Sequence, residues 1–162
     1  ISWVGTSMGG MLGMLLAARP NTPIRRLVLN DIGAVIPKES MARIGAYASK
    51  ILHFRSCEET EAWLRVTLAP FGPLTDAQWR HLTDLWSLWD AITCPTLLLR
   101  GALSDVLPKD IAVQMTQRGP QPELAEFEGI GHAPALMSDD QIRVVRNFLL
   151  QGQAGTAAPA RG

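Results

Sequence analysis

Short apolar runs and helical stripes alternate along this chain. The opening stretch Ile1-Ser2-Trp3-Val4 reads as a strand, and Gly5-Thr6-Ser7-Met8-Gly9-Gly10 follows it. From Met8 to Ala18 the residues are apolar almost all round a helix, so this segment is expected to be covered on several sides. Arg19-Pro20-Asn21-Thr22-Pro23 stops it. Leu27-Val28-Leu29 is a continuous apolar run suited to a strand buried on both faces, with Asn30-Asp31-Ile32-Gly33 as the turn beyond. Arg25 and Arg26 read as the solvated start of that strand.

From Pro37 to about Ala91 the period turns helical. Met41, Ile44, Ala48, Ile51 and Leu52 share one stripe, Trp63, Leu64 and Val66 belong to a second segment, and Trp79, Leu82, Leu85, Trp86 and Trp89 to a third. Pro95 to Arg100 reads as another buried strand ending at Gly101. Pro108 suits the first turn of the next helix, whose stripe is Ile111, Ala112 and Met115. Leu124 to Phe127 is a last short strand. The final helix is marked by Ser138 with Gln141 three residues on, a capping-box pattern, and by Asp139 and Asp140 at the positive end of its dipole. Ile142, Val145 and Leu149 are expected to form its core face. Strands alternating with helices predict an α/β fold with a parallel sheet and right-handed crossovers. The expected division is a core of residues 1–36 and 92–150, a helical lid insert over 37–91, and a tail over 151–162 that is rich in Gly and Ala and expected to be disordered.

Composition narrows the partners. At 162 residues and 47% hydrophobic, the chain suits one domain with a real core. Fifteen basic residues balance fifteen acidic ones, so no basic field favours nucleic acid or an anionic membrane. The apolar stretch from Met8 is about half of the ~20 residues that span a bilayer. Cys57 and Cys94 stand apart, without metal-site spacing or disulfide density, which favours a reducing, cytoplasmic setting. The chain begins with Ile1, inside a strand, which reads as a truncated start.

Candidate chemistry sits at the strand ends, where ligands bind in open parallel sheets. Ser7 follows the first strand, Asp105 follows the strand at Leu97, and His132 follows the strand at Leu124 through Gly129-Ile130-Gly131. A serine hydroxyl needs a base in contact, and the base needs an acid to hold its tautomer. A sharp strand-to-helix turn would lift Ser7 into the site, with small residues around it. The N-terminus of the following helix would aim the Met8 N–H at developing negative charge. A Gly-x-Ser-x-Gly match arises by chance in roughly 5% of chains of this length. The strand before it, the apolar helix after it and the two later strand-end residues are what give it weight. Asp31, also at a strand end, is the rival acid. His53 and His81 are read as solvated or lid-packing, and the four tryptophans of the insert as packing groups.

These motifs together resemble the α/β-hydrolase family, in particular its lid-bearing esterase, lactonase and C–C hydrolase branch. The pieces that carry the resemblance are Trp3 to Gly10, Leu27 to Gly33, Pro95 to Gly101 with Ser104-Asp105, and Gly129 to Pro134. The resemblance implies the C-terminal part of that fold, with Ser7 as nucleophile, Asp105 as acid, His132 as base, and no metal or organic cofactor. It also implies a strand order in which the strand at Leu97 lies beside that at Leu124, and the strand at Leu27 one further away. An acid from the neighbouring strand is then expected, so an Asp105 oxygen should lie within ~3.2 Å of His132 Nδ1. Two features depart from the family pattern: nothing here supplies the upstream loop with the second oxyanion N–H, and the insert is short, with an odd seam near Asp84 where residues are expected to be missing. The expected function is hydrolysis of a small ester, lactone or related acyl substrate. The alternatives are a non-catalytic small-molecule binder or inactive fragment of the same fold, and a C–C hydrolase or perhydrolase on the same triad.

Overall fold

A computed structural model describes residues 1–45 and 84–151. In chain order these hold β1 (Ser2–Thr6), α1 (Met8–Ala17), β2 (Arg26–Asn30), α2 (Lys38–Gly45), α3 (Trp86–Ala91), β3 (Thr96–Gly101), α4 (Lys109–Thr116), β4 (Glu123–Phe127) and α5 (Asp139–Leu150). The four strands form one parallel sheet in the order β1-β2-β3-β4. Chain order and spatial order coincide, so each crossover moves one place along the sheet and the loops at the carboxyl ends line up in sequence.

β2 and β3 lie in the middle, and their apolar runs are buried on both faces as their lack of alternation requires. Leu27, Leu29 and Leu98 point into one core with Met14, Trp89, Leu107 and Met115. Val28, Leu97 and Leu99 point into the other with Phe127 and Phe148. Trp89 is fully buried in the first core, and its indole N–H donates to the Arg118 carbonyl. Trp86 instead stacks beneath the Arg118 guanidinium, 4.4 Å from its ring centre.

Four local expectations change. Among the described residues, helix α1 buries Gly10, Gly13, Met14 and Ala17, while Met8, Leu12 and Leu15 are exposed, so these residues cover it on one side rather than several. The capping box at Ser138 does not form. Ser138 occupies the N-cap position without a side-chain cap bond, and the Gln141 side chain, buried, accepts the Leu136 N–H at 2.7 Å instead. The deepest residues of α5 are therefore Gln141 and Phe148, with Val145 and Leu149 on the flank and Ile142 exposed. Arg25 is exposed, as a solvated strand start requires, whereas Arg26 is half-buried, its guanidinium lying over the Phe148 ring and donating to the Gln151 carbonyl. The seam near Asp84, with Leu82 and Thr83 on one side of it, and His53, His81, Trp63 and Trp79 lie wholly or partly outside the described residues, as does the tail beyond Gln151.

Candidate active site

The turn from β1 into α1 presents Ser7. Its backbone sits at φ 51, ψ −118, a region a residue with a side chain occupies only when its surroundings impose it. Those surroundings are identifiable. The Ser7 N–H is held by the Asn30 carbonyl at 3.0 Å, while the Ser7 carbonyl accepts the N–H groups of Gly10 and Met11. Gly5 is obligatory here, because a Cβ at that position would lie 2.3 Å from the Gly9 carbonyl oxygen. Gly9 itself faces open space, so its small size is not what the turn demands. Met8 opens α1, and a helix begins with N–H groups that have no partner within the helix.

His132 arrives from the far edge of the sheet. The loop after β4 runs back across the end of β3, where the N–H groups of Ala102 and Leu103 bond the carbonyls of Phe127 and Ile130 at 2.9 and 2.8 Å. The contact is so close that a Cβ on Gly101 would lie 2.3 Å from the Gly131 oxygen. Beyond His132, the Asn30 side-chain amide binds the Pro134 carbonyl at 2.8 Å and so anchors the loop over β2. Asn30 also donates to Thr6, and its own side-chain oxygen is buried without a partner among the described residues.

The consequence is that His132 lies above β2, not above β3. Its Nε2 is 3.0 Å from Ser7 Oγ, and its Nδ1 is 2.6 Å from Asp31 Oδ2. The expected contact with Asp105 is not made. Asp105 faces outward, its side chain 51% exposed, and its carboxylate takes a two-pronged bond from Arg43 of α2 at 2.9 Å on each arm. The neighbour-strand argument failed because it ignored the return of the histidine loop over β3, which brings the imidazole within reach of the residue that ends β2.

Asp31 is fully buried, and its backbone adopts φ 58 just past β2. A polar group so placed has lost its water and needs hydrogen bonds from the protein in its stead. It has three: the Gly101 N–H on Oδ1 at 3.0 Å, and on Oδ2 the Ser104 hydroxyl at 2.5 Å together with His132. Ser104 was not singled out in the sequence, and only the dipeptide Ser104-Asp105 hinted at it. Among the described residues no group of three or more His, Cys, Asp and Glu could hold a metal ion. No described helix is long and apolar enough to cross a membrane. An open apolar groove of about 460 Å³, lined by Leu136, Ile142, Val145, Arg146, Leu149 and Leu150, contains none of Ser7, Asp31 and His132.

A four-stranded parallel sheet with flanking helices, a serine on the sharp turn after one strand and a histidine on the loop after the last together define an α/β-hydrolase-fold protein. The chain is 33% identical to a 3-hydroxybutyrate-oligomer hydrolase of Cupriavidus necator, over a span that takes in 91% of this chain and 64% of that protein. The span counts 188 positions, more than the 162 residues of the whole chain, so the relative holds residues within it that this chain lacks. Among solved structures, a protein of Rickettsia typhi assigned as a hydrolase matches with a TM-score of 0.75 and 30% identity, over 92% of this chain and 62% of its own. An alpha/beta hydrolase from Novosphingobium aromaticivorans matches with a TM-score of 0.68 and 30% identity, over 90% and 64%. The chain thus spans somewhat less than two thirds of each. No family model matches it.

Proposed function

We propose that this chain carries the nucleophilic centre of a serine hydrolase acting on small carboxylic esters, with Ser7 as nucleophile, His132 as base and Asp31 as the acid behind it. The observation that carries this reading is the unbroken hydrogen-bonded line Ser7 Oγ, His132 Nε2, His132 Nδ1, Asp31 Oδ2, ending on a carboxylate with no exposed surface. Ser7 Oγ attacks the ester carbonyl as His132 takes its proton, and the Met8 N–H at the head of α1 faces the oxyanion. His132 then returns the proton to the departing alcohol. Water, deprotonated by His132, attacks the acyl-Ser7 ester, and His132 passes that proton to Ser7 Oγ as the acyl–oxygen bond breaks and the acid is released.

The substrate class is drawn from the relative in Cupriavidus necator, whose name specifies 3-hydroxybutyrate oligomers. Such oligomers are linear esters whose alcohol and acid halves are both short hydroxy acids, so each cleavage is ordinary ester hydrolysis. The test uses the 162-residue chain with p-nitrophenyl butyrate and with the 3-hydroxybutyrate dimer, alongside a fluorophosphonate probe. Turnover of both esters, and a label on Ser7 that is lost in Ser7→Ala, are expected. A folded chain that neither turns over nor takes the label would sink the hydrolase reading and favour a binding role for the same cleft.

A further inference from the structure

The loop between β3 and α4 places Ser104, buried, against Oδ2 of the Asp31 carboxylate, the same oxygen that His132 meets. A serine hydroxyl has one proton and two lone pairs. Here the N–H groups of Val106 and Leu107 both point at Ser104 Oγ, from 3.2 and 3.1 Å, and occupy its lone pairs. Its proton is thereby committed to Asp31 Oδ2, 2.5 Å away. The loop that fixes this arrangement is itself pinned, because the buried Arg100 side chain donates to the Leu107 carbonyl at 2.8 Å. Asp31 Oδ2 consequently receives two donors at once, Ser104 from one side and His132 from the other, while the Gly101 N–H holds Oδ1. The carboxylate cannot turn about its bond to the chain without losing one of the three.

We propose that Ser104 is a positioning residue for the relay: it fixes the Asp31 carboxylate in the one rotation that meets His132 Nδ1 and shares the charge of Oδ2 with the imidazole. This rests on the reading of Ser7, His132 and Asp31 as the reacting line. Ser104 touches neither substrate nor Ser7, so its effect passes entirely through Asp31. Ser104→Ala removes the donor, and Ser104→Thr keeps it.

In the full chain, Ser104→Ala lowers kcat for p-nitrophenyl butyrate about tenfold, the size of effect that follows the loss of a hydrogen bond to a charged group, with KM nearly unchanged. Ser104→Thr restores most of it. In an Asp31→Asn background the same Ser104→Ala change costs nothing further, because the carboxylate it served is gone. A purely structural role would cost activity in both backgrounds, and that result would overturn the proposal. So would an unchanged kcat in Ser104→Ala. A readout that needs no turnover separates this proposal from the hydrolase reading: the proton on His132 Nδ1 gives a far-downfield NMR signal that moves or broadens in Ser104→Ala and returns in Ser104→Thr. If the wild-type chain hydrolyses nothing, that signal still decides the role of Ser104, and a signal indifferent to Ser104→Ala defeats it. Should Ser104→Ala fail to fold, Ser104→Cys, with its weaker donor, is expected to show a smaller change of the same kind.

Discussion

At the scale of single residues, two aspartates at strand ends have opposite surroundings. Asp31 is buried, accepts three hydrogen bonds and faces the imidazole; Asp105 is half exposed and engaged by Arg43. Asp31→Asn is therefore expected to lower kcat by up to ~10⁴-fold with Ser7 still in place, by analogy with other triads in which the acid becomes an amide. Asp105→Asn should change kcat by less than about threefold and stability by ~1 kcal/mol or less, as for an exposed ion pair. Equal losses in the two variants, measured with p-nitrophenyl butyrate, would return Asp105 to the reacting line. Ser7 and His132 were legible in the sequence because each stands on a glycine-marked turn just past a strand. The choice between the aspartates was not, because it turns on which strand end the imidazole overhangs, and that is decided by the path of the loop from Phe127 to Pro134. Ser104 was hidden for the same reason: its importance lies in a contact with Asp31, 73 residues away in sequence.

At the scale of elements, β3 is the floor on which the histidine loop rests, and Gly101 is where they touch. Gly101→Ala would drive a methyl group into the Gly131 and Ile130 carbonyls, so the loop must lift. A displacement of about 1 Å at His132 costs on the order of 10²-fold in rate. Gly101→Ala is accordingly expected to lose that much turnover while keeping its α/β circular dichroism; full activity in the variant would mean the loop has slack that the contact distances deny. The pairing of β3 with β4 also carries a charge device. Arg100 and Glu126 are register partners, joined at 2.5 Å, and Lys109 of α4 binds the other oxygen of Glu126. The Lys109 bond first, and then Arg100, hold the Glu126 carboxyl below its usual range against the opposing effect of burial. A carboxyl depressed in the folded state stabilises it above the unfolded value, near 4.5, and that contribution fades as pH falls. Glu126→Gln should thus lower stability at pH 7 by about 1–3 kcal/mol and flatten its decline on acidification below pH 5, as read from urea melts across pH. A variant that keeps the wild-type acid slope would show that other carboxyls set it. The strands themselves were legible from their solid apolar runs, whereas the flank of α1 left bare by the described residues was not: apolarity all round a helix signals what it can bury, not which described residues bury it.

At the scale of the whole molecule, that bare flank and the sheet edge belong together. β1 pairs with β2 on one side and with no other described strand, so one row of its N–H and C=O groups has no ladder partner among the described residues. Ile1 just before β1, Val4 on it, and Met8, Leu12 and Leu15 on α1 are all more than 40% exposed. A strand edge flanked by apolar side chains is a template for another strand, and β1 itself carries no lysine, no proline and no bulge in its pairing with β2, while no described strand covers its other edge. The occupant nearest to hand in a purified sample is a second copy of the same edge. The 162-residue chain is therefore expected to self-associate as its concentration rises into the micromolar range. Val4→Lys, which puts a charge at the centre of the edge without touching the relay, is expected to shift the association to at least tenfold higher concentration. Sedimentation velocity over a concentration series reads both. A chain that stays monomeric and melts cooperatively at ~100 µM, or one whose association ignores Val4→Lys, would mean that the β1 edge is not the surface through which these molecules meet.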